Sequence, residues 1–285
     1  MHLFDTIKNN YAHFSKGQKR IADYIIEHYD KAAFMTAAKL GAKTGVSEST
    51  VVRFAAELGY SKYAQLQREL QDIVRTKLTS VQRMAVTNDR LDGKDIISNV
   101  LERDIDMIKS TMDSVSHEDF SMAVDAIKSA KRIYIIGVRS SASLASFLAF
   151  YFNMVFEDVK LVSPSGSSEI LESIYHIDKG DVCIAISFPR YSNRTVSAVR
   201  FIASRGAKII SITDSATAPS AKYADYKLLA RSDMASFGDS LVAPLSLINA
   251  LIVAATYDVS EQAQNNFKEL EEIWQDYKVY DGETK

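Results

Sequence analysis

Residues 36–61 read TAAKLGAKTGVSESTVVRFAAELGYS, and this stretch decides the architecture of the amino-terminal part. The spacing predicts two short helices joined at Gly45-Val46-Ser47, the helix-turn-helix arrangement that lays a second helix in the major groove of DNA. Thr36 is placed to cap the first helix, Gly45 suits the left-handed position that ends it, and Ser47 is placed to cap the second. Leu40, Val46, Val51 and Phe54 fall where the helices must pack on each other, and Gly41 allows their backbones to approach. The remaining faces present Ser47, Glu48, Ser49, Thr50 and Arg53, whose side chains suit hydrogen bonds to phosphates or base edges. With Lys62 just downstream, these are the candidate DNA contacts.

A glycine turn and an apolar inner face occur in any small helical hairpin, so the flanks carry weight. Upstream, Ser15-Lys16-Gly17-Gln18 has capping-box spacing and opens a helix with Ile21, Ala22, Ile25 and Tyr29 on one face. That supplies the third helix of a trihelical DNA-binding unit. Downstream, Tyr60-Ser61-Lys62-Tyr63 leads into a further helix to about Lys77.

The chain has 285 residues, long for one domain and comfortable for two, with 47% hydrophobic and 25% charged residues, as an ordinary globular protein has. Its net charge of -2 hides an asymmetry: residues 1–80 hold 12 Lys or Arg against 8 Asp or Glu, so the head is +4 and the remainder -6. A basic head on an acidic body suits a nucleic-acid module joined to something that is not one. The lone Cys183, inside the run VCIAI, reads as a reduced core residue of a cytoplasmic protein, without disulfides. Lys8, Asn9 and Asn10 interrupt any signal-like apolar stretch, and no run reaches the roughly 18 apolar residues of a membrane span. The longest candidate, residues 241–257, contains Pro244, Ser246 and Asn249 and reads as a buried helix.

Apolar density falls between Arg75 and Lys94, which marks an inter-domain link: a head over residues 1–78, a link over 79–94 and a body over 95–285. Helical spacing returns at Asp95 with Ile96, Ile97, Val100, Leu101, Ile105 and Ile108, and a second helix follows over about 117–130. Then the pattern changes. Short apolar runs at 132–137, 159–162, 182–187, 208–213 and 226–230 alternate with helical segments at about 141–156, 168–176, 192–204 and 241–257. Continuous apolar strands alternating with helices predict a doubly wound α/β domain with about five parallel strands.

In such a domain ligands bind at the carboxyl ends of the strands, near helix amino termini. Three of these ends are rich in hydroxyls: Gly137-Val138-Arg139-Ser140-Ser141, the segment 163–168 (SPSGSS), and Ser187-Phe188-Pro189-Arg190-Tyr191-Ser192-Asn193-Arg194-Thr195. Backbone N–H groups and the helix dipole favour an anion there, and guanidinium groups add donors without a metal. One such loop would read as an ordinary helix cap. Three on consecutive strands point to a phosphorylated ligand. A Walker A sequence and a full G-x-G-x-x-G are both lacking, and the five histidines are scattered without metal-ligand spacing, so no cofactor is expected.

The layout resembles the RpiR/MurR family of bacterial transcriptional regulators, in which a trihelical head precedes a sugar isomerase (SIS) domain, and the resemblance covers nearly the whole chain. It is carried by Lys39-Leu40-Gly41, by Gly45 through Phe54 and by Leu58-Gly59-Tyr60 in the head. In the body, Ile136-Gly137-Val138-Arg139-Ser140-Ser141 resembles the family's first phosphate loop, usually Gly-x-Gly-x-Ser. Ile186-Ser187 with Ser192 resembles the outer positions of the second, usually Ser-x-Ser-Gly-x-Thr, and residues 205–213 match the strand that commonly follows. The resemblance implies DNA binding by the head, a sugar-phosphate effector in the body and self-association as a dimer or tetramer. Its implied ligand residues are Arg139, Ser140, Ser141, Ser187, Arg190 and Ser192. Arg139 replaces the second Gly of the first loop, and Pro189-Arg190 replace the central Ser-Gly of the second. A backbone-hugging Gly pair is thereby lost and two guanidinium groups are gained.

Two other functions compete. A sugar-phosphate isomerase needs a base beside C1 and C2 of the sugar, for which Glu169, His176 and Asp239 are the candidates by topology. An architectural DNA-binding protein would use the body only for dimerisation, which needs no hydroxyl-lined strand ends.

Overall fold

The computed structural model describes residues 3–91, 95–162, 167–257 and 261–279. It divides into two compact units, residues 1–96 with 234–239 and residues 97–233 with 240–285.

The first unit is helical: α1 (Leu3–Asn10), a single 3₁₀ turn (Tyr11–His13), α2 (Lys16–Glu27), α3 (Tyr29–Ala32), α4 (Ala37–Thr44), α5 (Glu48–Glu57), α6 (Tyr63–Lys77) and α7 (Ser80–Leu91). The boundaries follow local chemistry. Ser15 and Gln18 form a reciprocal capping box at α2. Thr36 Oγ1 accepts from the Lys39 N–H at α4, and Ser47 Oγ from the Thr50 N–H at α5. Gly45 ends α4 in the left-handed conformation with φ 67°. Ile21, Ile25, Leu40, Val51, Phe54, Leu66 and Leu70 are fully buried in one core. Each large apolar side chain so buried contributes about 1.5–3 kcal/mol. Phe54 meets Phe14 edge to face, with ring centroids 5.1 Å apart.

Tyr63 on α6 donates to the Met35 carbonyl at 2.8 Å, and burial pushes its phenol up to about 12. Most of the segment read as a link is helical, because α7 occupies it, and residues 92–94 lie outside the described residues. Within the first unit α7 buries Val86 and Arg83, whose guanidinium donates to the Phe237 carbonyl at 3.1 Å and pairs with Asp239 at 3.1 Å. Part of the buried face of α7 is thus charged, so apolar spacing marks this helix poorly.

The rest of the chain runs α8 (Ile96–Ser114), α9 (His117–Lys128), β1 (Ile133–Gly137), α10 (Ser140–Phe152), β2 (Val159–Val162), α11 (Ser167–Ser173), β3 (Val182–Ile186), α12 (Asn193–Arg205), β4 (Lys208–Thr213), a 3₁₀ turn (Ala221–Tyr223), β5 (Tyr226–Leu229), β6 (Asp233–Met234), β7 (Asp239–Ser240), α13 (Val242–Thr256) and α14 (Glu261–Asp276), of which residues 96 and 234–239 fall in the first unit and the others in the second. Five strands form the expected parallel sheet in the order β2-β1-β3-β4-β5. β6 and β7 form a small separate pair that apolar periodicity did not reveal.

β1 and β3 are buried at every position, as strands covered on both faces must be. One face of the sheet packs on α9, α10 and α13, and the other on α11 and α12. At the amino ends Asp181 is fully buried, and Arg132 meets it bidentately at 2.9 and 2.7 Å. The strand order reverses between β1 and β3, so the crevice of a doubly wound sheet opens at their carboxyl ends.

Candidate functional site

In the first unit, α5 buries Val51, Phe54 and Ala55, which turns Glu48, Ser49, Val52 and Arg53 outward. Ser47 Oγ lies 2.9 Å from both Ser49 Oγ and Thr50 Oγ1, a hydroxyl cluster at the helix start. Arg53 Nε donates to the Ser49 carbonyl at 3.3 Å, which sets its guanidinium along the helix. Ser47, Thr50 and Arg53 line a cleft of about 820 Å³ whose opposite wall is the first turn of α2, with Ser15, Gly17, Gln18 and Arg20.

Glu48, Ser49 and Lys62 do not line that cleft. Lys62 is exposed at the start of α6. Two residues with suitable chemistry escaped the sequence reading. Arg20 is exposed, forms no ion pair among the described residues, and lies over the turn: a Cβ on Gly45 would stand 3.1 Å from its Nη1. Val52, 44% exposed, offers an apolar contact of the kind that meets a thymine methyl.

In the second unit, the register sets Gly137 of β1 opposite Ile186 of β3, and Ile186 opposite Ile212 of β4. The Ser187 N–H continues the ladder by donating to the Ile212 carbonyl at 3.0 Å. The loop after β1 and the loop after β3 are therefore neighbours at the switch point.

α10 starts immediately after β1. A Cβ on Gly137 would come within 2.3 Å of the Ser141 carbonyl, so only glycine lets the helix begin this close to the strand. Arg139 is the N-cap of α10, but its side chain makes no capping bond. Ser140 is exposed on the first turn and Ser141 is buried. Ser187 is buried too, while Ser192 caps α12 by accepting from the Arg194 N–H at 3.3 Å. A capping hydroxyl accepts with its oxygen and keeps its own O–H to donate. On the same first turn Thr195 is 1% exposed, and its hydroxyl has no hydrogen-bond partner among the described residues.

Tyr191 donates to Asp214 Oδ1 at 2.7 Å, which ties the second loop to the end of β4. Arg139 and Arg190 both adopt positive φ, 60° and 51°, a conformation that costs a non-glycine residue on the order of 1–3 kcal/mol. The hydroxyl-rich residues 163–166 lie outside the described residues.

The residues considered for isomerase chemistry do not gather here. The His176 carbonyl accepts from Arg132, which precedes β1, so His176 belongs to the amino ends of the strands, opposite the crevice. Helix α11 carries the chain from one end of the sheet to the other, which the order of residues alone did not convey. Asp239 is paired with Arg83, and Glu169 is exposed on the first turn of α11. Among the described residues, no group of three His, Cys, Asp or Glu is placed to hold a metal ion, and no helix is long and apolar enough to cross a membrane.

Two family models match the chain: an rpiR-family helix-turn-helix domain over residues 1–77 and a SIS domain over residues 126–254. An uncharacterized HTH-type transcriptional regulator of Clostridium perfringens is 25% identical over 229 residues, covering 80% of this chain and 81% of its own. The sugar isomerase domain of an RpiR transcription factor from Sphaerobacter thermophilus superposes with a TM-score of 0.58 at 26% identity, over 61% of this chain and 97% of that one. The NanR protein of Vibrio vulnificus, solved in complex with ManNAc-6P, shares the fold with a TM-score of 0.60 at 20% identity, over 98% and 100% of the two chains. With a capped helix-turn-helix in the first unit and a five-stranded parallel α/β sheet in the second, the chain belongs to the RpiR family of helix-turn-helix transcriptional regulators with a SIS domain.

Proposed function

We propose that this protein is a bacterial DNA-binding transcriptional regulator whose operator affinity is set by a phosphorylated sugar bound at the β1/β3 crevice. The observation that carries the reading is the coexistence in one chain of an outward polar helix α5 and two hydroxyl-bearing loops at a sheet's switch point. The first suits duplex DNA and the second suits an anion. Ser47, Glu48, Ser49, Thr50, Arg53 and Lys62 form the DNA-contacting set. Arg139, Ser140, Ser141, Ser187, Arg190 and Ser192 form the effector set. A phosphosugar is supported by the ManNAc-6P held by the V. vulnificus protein.

The domains divide as a head over residues 1–78, a link over 79–94 and an effector domain over 95–285. The protein works in the cytoplasm and performs no catalysis, a reading supported by the withdrawal of His176 and Asp239 from the crevice. One head covers one half-site, so we infer at least a dimer on an inverted repeat. Ile97, Leu101, Ile105, Ile108 and Met112 support this by forming an exposed apolar stripe along α8, as do Val253 and Tyr257 at the end of α13. Leu247, Ile248 and Leu251 of α13 are core residues instead.

The test is to select DNA sequences bound by the full chain, then titrate that DNA with and without a panel of sugar phosphates. A change in DNA affinity with at least one of them is expected. Bound DNA indifferent to every sugar phosphate, or turnover of one of them, would refute the reading.

A further inference from the structure

Residues 234–239 belong to the first unit, although the chain on both sides of them, residues 97–233 and 240–285, builds the second. The chain therefore leaves the second unit after Asp233, turns between β6 and β7, and returns at Ser240. Within the first unit this hairpin is embedded. Met234 is 1% exposed and joins the apolar core. Arg83 of α7 grips the rest, donating to the Phe237 carbonyl and pairing with Asp239, both at 3.1 Å. A buried ion pair adds little net stability over apolar packing of the same volume, and its best-attested use is to fix register or a switch.

Within the second unit, both necks of the hairpin are tied to consecutive residues of α8. Asp233 accepts from Arg103 Nη2 at 3.4 Å, and the Ser240 hydroxyl donates to Asp104 Oδ1 at 2.7 Å. The strand that leads to the first neck is tied to the crevice. Just after β5, the Ala230 N–H donates to the Thr213 carbonyl at 2.8 Å, and the next residue, Asp214, accepts from Tyr191 of the loop after β3. No spare residue separates Asp233 from Met234 or Asp239 from Ser240, and consecutive Cα atoms stay about 3.8 Å apart. A shift of β5 or α8 thus has no slack loop in which to dissipate before it reaches Met234 and Asp239.

Resting on the reading of the β1/β3 crevice as the effector pocket, we propose that residues 234–239 are the transmission element of the regulator. An anion gathered by the loop after β3 biases the end of β4, then β5 and the hairpin, and so the packing of α7 in the DNA-binding unit. Coupling of this kind is a quantity separate from either affinity.

The measured quantity is the ratio of DNA dissociation constants with and without a sugar phosphate, for DNA selected by the full chain. The probe is whichever of glucose 6-phosphate, fructose 6-phosphate and ManNAc-6P changes wild-type DNA affinity most. A change of about 5–150-fold is usual for such coupling. Two glycines inserted after Asp233 and two after Asp239 lengthen both necks and leave the side chains of the hairpin in place. In that protein the change falls to within about twofold of none, while DNA affinity without ligand and calorimetric affinity for the probe stay near wild type. A second protein, Arg83→Met with Asp239→Leu, removes both charges together, so neither is left buried and uncompensated. The same fall is expected there, because the hairpin loses its grip on α7. A wild-type change in either folded variant overturns the proposal and leaves the phosphosugar reading standing. Loss of ligand-free DNA binding in both variants overturns it too, by making the hairpin a structural part of the head. Wild-type DNA affinity indifferent to all three probes overturns the proposal and the phosphosugar reading together.

Discussion

A Cβ on Gly41 would stand 2.8 Å from the Val46 carbonyl oxygen and 3.3 Å from the Glu48 backbone nitrogen. The turn of the DNA-binding motif is therefore closed onto α4 by backbone contact, with no room for a methyl group. Gly41→Ala is expected to destabilise the first unit by about 1–3 kcal/mol, the range for overpacking a tight contact. Phe54→Ala, which empties a fully buried site, should cost about 3–5 kcal/mol. Urea denaturation followed by circular dichroism reads both, and a Gly41→Ala protein as stable as wild type would mean the helices yield.

Arg53 and Arg20 stand on opposite walls of one cleft, and their removal should have different signatures. Arg53→Ala should weaken operator binding by about 1–3 kcal/mol and relax preference at one base position, if it reads that base. Arg20→Ala should weaken operator and unrelated DNA alike and lower the salt slope by about one, as loss of a phosphate contact does. Fluorescence anisotropy across a range of salt concentrations separates the two. An unchanged slope in Arg20→Ala removes that residue from the interface.

Ser141 and Ser192 test whether effector and DNA are read by different units. Each charge-assisted bond to a phosphate contributes about 1.5–3 kcal/mol, so the double change to alanine should abolish the response to ligand. DNA affinity without ligand should be retained, because a ligand shifts it only through differential binding to two states. A wild-type midpoint for the same ligand would place the phosphate elsewhere. Loss of DNA binding would make the two serines structural.

Cys183 lies fully buried on β3, and burial pushes its thiol up to about 12. The thiolate is the reactive form, so a chromogenic disulfide reagent at pH 8 should fail to label the native protein and label it fully in denaturant. Rapid native labelling would show that β3 opens readily.

Asp181 is buried against Arg132 at the amino ends of β1 and β3. Removing one partner of such a pair leaves the other charge without compensation, so Asp181→Ala should cost about 3–5 kcal/mol. Because the pair sits at the opposite end of the sheet from the crevice, ligand affinity of the folded fraction should be unchanged. Thermal melts combined with titration check both statements.

The starts of α2, α4 and α5 and the end of α4 were legible in the sequence because they are set by short-range chemistry, whereas the break that puts Tyr29 on α3 was not. Ser15 with Gln18, Thr36, Gly45 and Ser47 each act on backbone groups within a few residues, and each does in the structure what its spacing implies. The β1 and β3 strands announced themselves through unbroken apolar runs, since a strand covered on both faces has no polar side to show. α7 was less legible. It buries Arg83 against Asp239, a partner far along the chain that leaves no periodic trace.

The sites divide along the same line. That α5 exposes Ser47, Glu48, Ser49 and Arg53 follows from the 3.6-residue period once Val51 and Phe54 are assigned to the core. That Arg20 joins Arg53 across a cleft does not, because it depends on α2 packing against the turn, where a Cβ on Gly17 would lie 3.3 Å from Val46 Cγ1. The sequence placed hydroxyls and arginines after β1 and after β3. Only the strand order β2-β1-β3-β4-β5 made those two loops neighbours, and only the folded backbone put Arg139 and Arg190 at positive φ. Local chemistry reaches a few residues along the chain, whereas strand neighbours and a strained dihedral are imposed by packing across the whole sheet.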